Sequence, residues 1–347
     1  MTNKKTLYTG LTLGLFIVVV FSLGLGAMKI SVLDVLTILA NKIGIIDFKV
    51  KDDLAENVLL HVRLPRIVLG VLVGAALGIS GAAVQGIFRN PLAEPGLIGI
   101  SAGASLFAVL IIGMESLLFV SLSELLGFYL LAFGAFAGAG LAAMLVYQFS
   151  KTEGKPNVAT MLLAGIAINA LAGALTGLLT YTADEQQLRT ITFWMLGSLG
   201  GANWDMIMGI TPFILIPVFV LPVYGKGLNL FAIGEHQTEQ IGMNPGKIKN
   251  RVVILSTLAV GACVSVTGII GFVGLLVPHI IRLIAGADHR LVLPASALLG
   301  ALVLTVSDML ARVVVAPVEL PIGVITALLG APVFLYILYK DKKKILQ

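Results

Sequence analysis

The side chains able to do covalent chemistry are few in this chain and stand far apart. Four histidines, His61, His236, His279 and His289, are dispersed without the spacing of metal ligands. No Ser-His-Asp set and no pair of carboxylates can be argued from the order of residues. A phosphate loop of the form GxxxxGK[ST] is missing, since the nearest string, Gly242-Met-Asn-Pro-Gly246-Lys247-Ile248, has the wrong spacing and ends on the wrong residue. No catalytic residue, metal ligand or bound cofactor is expected, and the chain does not hydrolyse ATP by that route. Charge at particular places is what remains. Arg63 and Arg66 flank Pro65, which suits the first turn of a helix, and Arg312 stands four residues after Asp308. Arginine stays charged and grips a carboxylate with a planar fork, so arginines at a rim suit docking of an acidic partner. The alternative is that they only reach toward lipid head groups.

The elements that must hold these residues are membrane helices. Of 347 residues, 58% are hydrophobic and 12% charged, and the mean hydropathy is +1.02. A soluble chain of that size needs far more charge on its surface. The net charge of +5 forms no separate basic domain, which argues against nucleic acid. One cysteine, Cys263, allows no internal disulfide. A spanning helix needs about 20 apolar residues, and ten candidate runs occur: 7–28, 67–88, 95–112, 125–148, 158–180, 204–222, 251–271, 273–285, 291–310 and 322–340. The first is too long for a signal-peptide core and reads as a retained helix. The eighth is short and contains Pro278, so a broken or tilted segment is expected.

Basic residues orient the chain. With both termini inside, fifteen of the 23 Lys and Arg fall on inside segments, among them Lys4, Lys5, Lys151, Lys155, Lys249, Lys340, Lys342, Lys343 and Lys344. The outside segments hold Lys29, Lys42, Lys49, Lys51, Arg63, Arg66, Arg189 and Arg312, and acids such as Asp47, Asp52, Glu115 and Glu319 also fall there. Val32–Ile43 has a helix-like pattern in the first outside loop. The inside stretch 223–250 is polar, and a short helix there should stop at Gly242. Val73-Gly74-Ala75 and Gly81 recur as Val260-Gly261-Ala262 and Gly268 at an offset of 187, and Pro91 pairs with Pro278 at the same offset. The copies start on spans two and seven and so run in opposite directions, an inverted repeat of spans 2–5 and 7–10, which is a frequent plan in transporters. Close packing of glycine-rich helices is the plainer explanation. Gly134 and Gly138 have the GxxxG spacing of packed helices, and Trp194 and Trp204 read as interfacial anchors. Asp205 and Asp308 fall near outer span ends, and the span centres carry almost no acid, which speaks against an ion-coupled carrier.

Several stretches together resemble a known family. They are Arg63-Leu-Pro-Arg66, Gly78-Ile-Ser-Gly81, Gln85, Arg89-Asn-Pro-Leu-Ala-Glu-Pro-Gly96, Gly99-Ile-Ser-Ala-Gly103, Gly271-Phe-Val-Gly-Leu-Leu-Val-Pro-His279, Asp288-His-Arg290, Ser307-Asp308, Ala311-Arg312 and Glu319-Leu-Pro-Ile-Gly323. They are similar in kind and order to the permease subunits of ABC importers for iron–siderophores, haem and cobalamin. The resemblance implies one transmembrane permease domain over 1–347, all α, with about ten spans. It implies a second permease subunit, two cytoplasmic ATPases that use ATP, an extracytoplasmic binding protein, and a place in the bacterial plasma membrane. Arg63, Arg66 and Arg312 then match arginines that dock the binding protein. The loop 223–250 matches the ATPase-coupling loop through Gly234, Glu235, Thr238, Ile241 and Gly242, with Thr238 and Ile241 where the family usually has Ala and Leu. Gln85, Asn90, Pro91 and His279 are candidates for a gate or path. A tight turn at Arg89–Leu92 and a core role for His279 are the structural alternatives. The cargo implied is a ferric siderophore, with haem or cobalamin as alternatives.

Overall fold

The computed structural model describes residues 4–26, 28, 30–42, 53–127, 129–152 and 154–345, and nearly all of them are helical. Lys29, Ile43, Asp47, Lys49, Lys51 and Asp52 lie outside the described residues, as do the side chains of Glu115, Lys340, Lys342, Lys343 and Lys344. Helix α1 (Lys4–Gly24) is followed by the short α2 (Val32–Lys42) and α3 (Asp53–Val58). A π turn, Leu59–Arg63, runs straight into α4 (Leu64–Phe88). A turn of 3-10 helix, Pro95–Ile98, precedes α5 (Ile100–Leu118), α6 (Val120–Leu126) and α7 (Tyr129–Phe149). The strands β1 (Lys151–Thr152) and β2 (Lys155–Pro156) pair as a small antiparallel hairpin before α8 (Val158–Tyr181) and α9 (Glu185–Leu196). Then come α10 (Trp204–Val220), α11 (Gly225–Phe231) and α12 (Glu235–Gln240), and finally α13 (Pro245–Thr267), α14 (Val273–Ala285), α15 (His289–Val313) and α16 (Ile322–Ile345).

Each of the ten apolar runs has become a helix. Among the described residues, seven helices are long and apolar enough to cross a membrane, and the apolar parts of α5, α14 and α16 are shorter. Two departures from the sequence expectation lie beside each other in the fold. Helix α13 stops at Thr267 rather than 271, because Gly268 takes φ +69; Phe272, at φ +67, precedes the start of α14. The left-handed region at Gly268 is open to glycine at little cost. The segment between spans five and six, to which the hydropathy pattern assigns no element, contains α9. Its start is a capping box: Asp184 Oδ1 accepts from Gln187 N at 2.8 Å, and Gln187 Oε1 accepts from Asp184 N at 3.1 Å.

The bundle has two ends. The near face carries Lys4, the hairpin, α11, α12 and the turn after Phe88; the far face carries α2, α9 and the link from α15 to α16. Helix α4 is buried along nearly its whole length, against α10, α13, α14 and α15. Glycine makes that possible. A Cβ on Gly74 or Gly78 would run into the backbone carbonyls of Gly300 and Ser296, and one on Gly81 into that of Gly274. Without a hydrophobic drive between helices in lipid, such close backbone contact is a main source of association. Helices α4 and α13 run in opposite directions. Span two packs on span nine (α4 on α15) and span seven on span four (α13 on α7), as an inverted repeat of spans 2–5 and 7–10 predicts.

This seam yields a test. Gly78→Val should lower the yield of folded protein and its thermal midpoint in detergent, since overpacking costs about 1–3 kcal/mol where the backbone can adjust and more where it cannot. Gly140→Ala, with no atom within 4 Å of its added Cβ, should leave both unchanged.

Candidate functional site

At the far face the three arginines come together, but they point inward. Arg63 is 5% exposed, Arg66 6% and Arg312 5%, so none presents its fork at the surface. The π turn ahead of α4 aims Arg63 at the end of α1, where Nη1 donates to the Leu23 carbonyl at 2.7 Å and Nη2 to the Met28 carbonyl. One turn on, Arg66 Nε donates to Asp308 Oδ1 at 2.8 Å and its Nη1 to Glu319 Oε2 at 2.7 Å. Arg312, one helical turn beyond Asp308 on α15, donates to Ser22 Oγ at 2.5 Å and to the Leu25 carbonyl at 3.0 Å. Its Nε lies 3.1 Å from Asp308 Oδ2, an ion-pair distance without hydrogen-bond alignment. The buried Asp308 carboxylate is thus held between two guanidinium groups. The cluster fastens the end of α1, the start of α4, the end of α15 and the link into α16. Half-exposed Glu319 is its most accessible charge.

At the near face Gln85 and the turn after α4 are explained by a proline. Pro278 lies inside α14, which stays helical through it. A proline has no N–H for the carbonyl four residues back, here that of Gly274. Gln85, buried on α4, takes up this carbonyl at 3.4 Å and that of Leu275 at 3.1 Å, while its Oε1 accepts from Arg282. Gln85 therefore satisfies the backbone and ties α4 to α14. Arg89 takes φ +48 and ends α4; Asn90 N donates to the Gln85 carbonyl, and Asn90 Oδ1 accepts from Leu92 N at 2.9 Å. Asn90, Pro91 and Leu92 form a tight turn with Leu92 exposed. His279 lies four residues beyond Leu275 on α14 and is half-buried; no bond joins it to Gln85.

The loop 223–250 carries a short helix, as its pattern implies. Gly234 takes φ +136 at the start of α12 and Gly242 takes φ +83 after it. Thr238 is buried and donates through Oγ1 to the Gly234 carbonyl at 2.7 Å. Glu235 faces α13. His236, Gln237, Glu239, Gln240 and Ile241 are exposed, and Ile233 and Met243 lie exposed on either side. Polar residues flanked by three exposed apolar side chains make a surface suited to a protein partner. Nearby, Asn229 Nδ2 donates to Asp288 Oδ1 at 2.7 Å and holds that carboxyl below its usual range, so Asp288 stays charged as the cap of α15.

One residue escaped the sequence reading. The turn 89–99 does not stay at the near face. Asn169, halfway along α8, donates through Nδ2 to the Gly96 carbonyl at 3.1 Å, and Gly165 packs on the Leu97 carbonyl. Glu94 is therefore carried toward the middle of the bundle. It lines a cavity of about 350 Å³ with Ser101, Ser105, Asn169 and Phe272. The cluster Glu94-Pro95-Gly96 before Gly99 was the available signal, a chain break inside an apolar context.

With the geometry in place, comparison with known proteins is direct. Residues 14–340 match the sequence model of the FecCD transport family. The hemin transport system permease protein HmuU of Yersinia pestis is 45% identical over 293 residues, covering 84% of this chain and 86% of that one. The Fe(3+)-citrate import system permease protein YfmE of Bacillus subtilis is 36% identical over 349 aligned positions, covering 99% and 98%. A metal-chelate-type ABC transporter solved in an inward-facing conformation superposes with a TM-score of 0.84 at 32% identity, over 97% of this chain and 100% of that one.

The far-face cluster gives a prediction. Arg66→Ala leaves Asp308 buried beside one misaligned arginine, and breaking a buried pair costs about 3–5 kcal/mol. The variant should therefore show a lower thermal midpoint in detergent in the absence of any partner. A wild-type midpoint would mean that the cluster holds nothing together.

Proposed function

The chain belongs to the FecCD transport family, and on that premise we propose that it passes haem across the bacterial plasma membrane. It is the membrane-spanning permease subunit of an ATP-driven importer; the chain carries the path and performs no covalent chemistry. The cargo proposal rests on one observation, the 45% identity to a hemin permease over most of both chains. A ferric chelate such as iron-citrate or another siderophore complex is the second reading, favoured by the 36% match that runs through 99% of this chain.

The cycle follows from the two faces. The near face is cytoplasmic, as the excess of basic residues there implies, and α12 with Ile233, Ile241 and Met243 receives an ATPase subunit. The far face receives a binding protein that hands over the cargo. Arg63, Arg66 and Arg312 support that surface from beneath, and an acidic partner engages their forks only by displacing Asp308 or the carbonyls of α1. A second permease subunit completes the path. Helix α8 suits that contact: only Met161, Gly165, Ala172 and Thr176 are buried along it, which leaves most of a spanning helix uncovered by its own chain. When ATP draws the ATPases together, the helices re-pack between two states, each open to one side.

The test is a cargo comparison. Proteoliposomes with this chain, its ATPase and its binding protein should take up radiolabelled haem on addition of ATP, with ferric siderophores and cobalamin failing to compete. Uptake of a ferric siderophore with no haem uptake would keep the importer and replace the cargo.

A further inference from the structure

Lysine is among the residues least often fully buried, yet Lys249 is 2% exposed. It is the fifth residue of α13, where the helix dipole repels a cation. The position is tenable only because the ammonium group is bound. It donates to Glu235 Oε2 at 2.5 Å and to the Pro156 carbonyl at 3.0 Å. Glu235 is the first residue of α12, and Pro156 is the last residue of β2. The next residue, Asn157, caps α8, its Oδ1 accepting from Ala159 N at 2.9 Å and Thr160 N at 3.2 Å. A single buried ammonium thus joins α12, the hairpin that leads into α8, and α13. A second link, Lys155 to Glu239 at 3.0 Å, is solvent-exposed and so adds little rigidity.

We propose that Lys249 is the positioning residue that passes ATPase-driven displacement of α12 into α8 and α13. The proposal rests on the reading of α12 as the ATPase contact. A helix of six residues held at one end by a buried charge moves as a rigid lever. Pulled or pushed, it takes the Pro156 carbonyl with it, and with that carbonyl the capped end of α8, a spanning helix that its own chain leaves largely uncovered. Without the ammonium, α12 keeps its surface for the ATPase, but its motion is spent in the loop.

The experiment measures ATP hydrolysed and cargo delivered by the reconstituted complex of permease, ATPase and binding protein. For Lys249→Met the ATPase should still co-purify and hydrolyse ATP, while cargo moved per ATP falls about tenfold, within the range of ordinary coupling energies. Lys249→Arg should recover much of the ratio. Lys249→Met/Glu235→Leu removes both charges together, avoids leaving one buried and unpaired, and should be as uncoupled as Lys249→Met. If Lys249→Met alone fails to fold, that double variant decides. A folded, assembled variant without the ammonium that moves cargo per ATP as wild type does would overturn the proposal. Ile241→Glu checks the reading beneath it: loss of ATPase co-purification supports α12 as the contact, and unchanged co-purification removes the basis for both.

Discussion

Inside a bilayer every backbone N–H and C=O must find a partner within the protein, and the interior of this chain is arranged around that demand. Unbroken helices meet it by themselves. The places where helices stop or carry proline meet it with a particular side chain or a neighbouring backbone. Gln85 serves the Gly274 carbonyl that Pro278 leaves on α14 and shares its amide with that of Leu275, and Asn169 serves Gly96 in the turn that dips between α4 and α5. Ser198 N donates to the Thr267 carbonyl at the broken end of α13, and Ile322 N donates to the Gly197 carbonyl at the start of α16. The partners come from α4, from α8 and from the link after α9, each in a different part of the chain from the break it serves, so the breaks are also joints that set how the spans sit.

Charge is handled by the same economy at the two ends. At the far face the guanidinium groups of Arg63, Arg66 and Arg312 are spent on Asp308, Glu319 and the carbonyls of α1. At the near face a buried ammonium is spent on Glu235 and Pro156. Between them the seam of Gly74, Gly78 and Gly300 lets backbones touch. The middle is packed closely and the ends are tied by directional bonds, which is the arrangement the proposed transport cycle calls for.

The ten helices behind the apolar runs were legible because hydropathy marks each of them, seven long enough to span and three shorter, and the short helix at Val32 and the stop at Gly242 because their local patterns are strong. Helix α9 was missed: its twelve residues mix Glu, Gln, Arg and Thr with aromatics, and nothing in hydropathy separates them from a loop. The three arginines do gather at one end of the bundle, but their inward direction depends largely on hydrogen-bond partners 35 to 290 positions away in the chain, which local sequence does not encode. Glu94 was passed over for a related reason. It lies outside every span centre in the linear sequence, and the turn that carries it into the bundle is fixed by Asn169, 73 positions from Gly96.

That carboxylate bears on the energy source. An ion-coupled carrier needs an ionisable group in the membrane interior, and Glu94 stands toward the middle of the bundle. Family membership assigns the work to ATP instead. The measurement that separates the two is cargo uptake into proteoliposomes holding the complete complex, with ATP and no ion gradient on one side of the comparison, and an ion gradient without ATP on the other. The account predicts uptake with ATP alone and none with the gradient alone. Uptake on the gradient alone would contradict it.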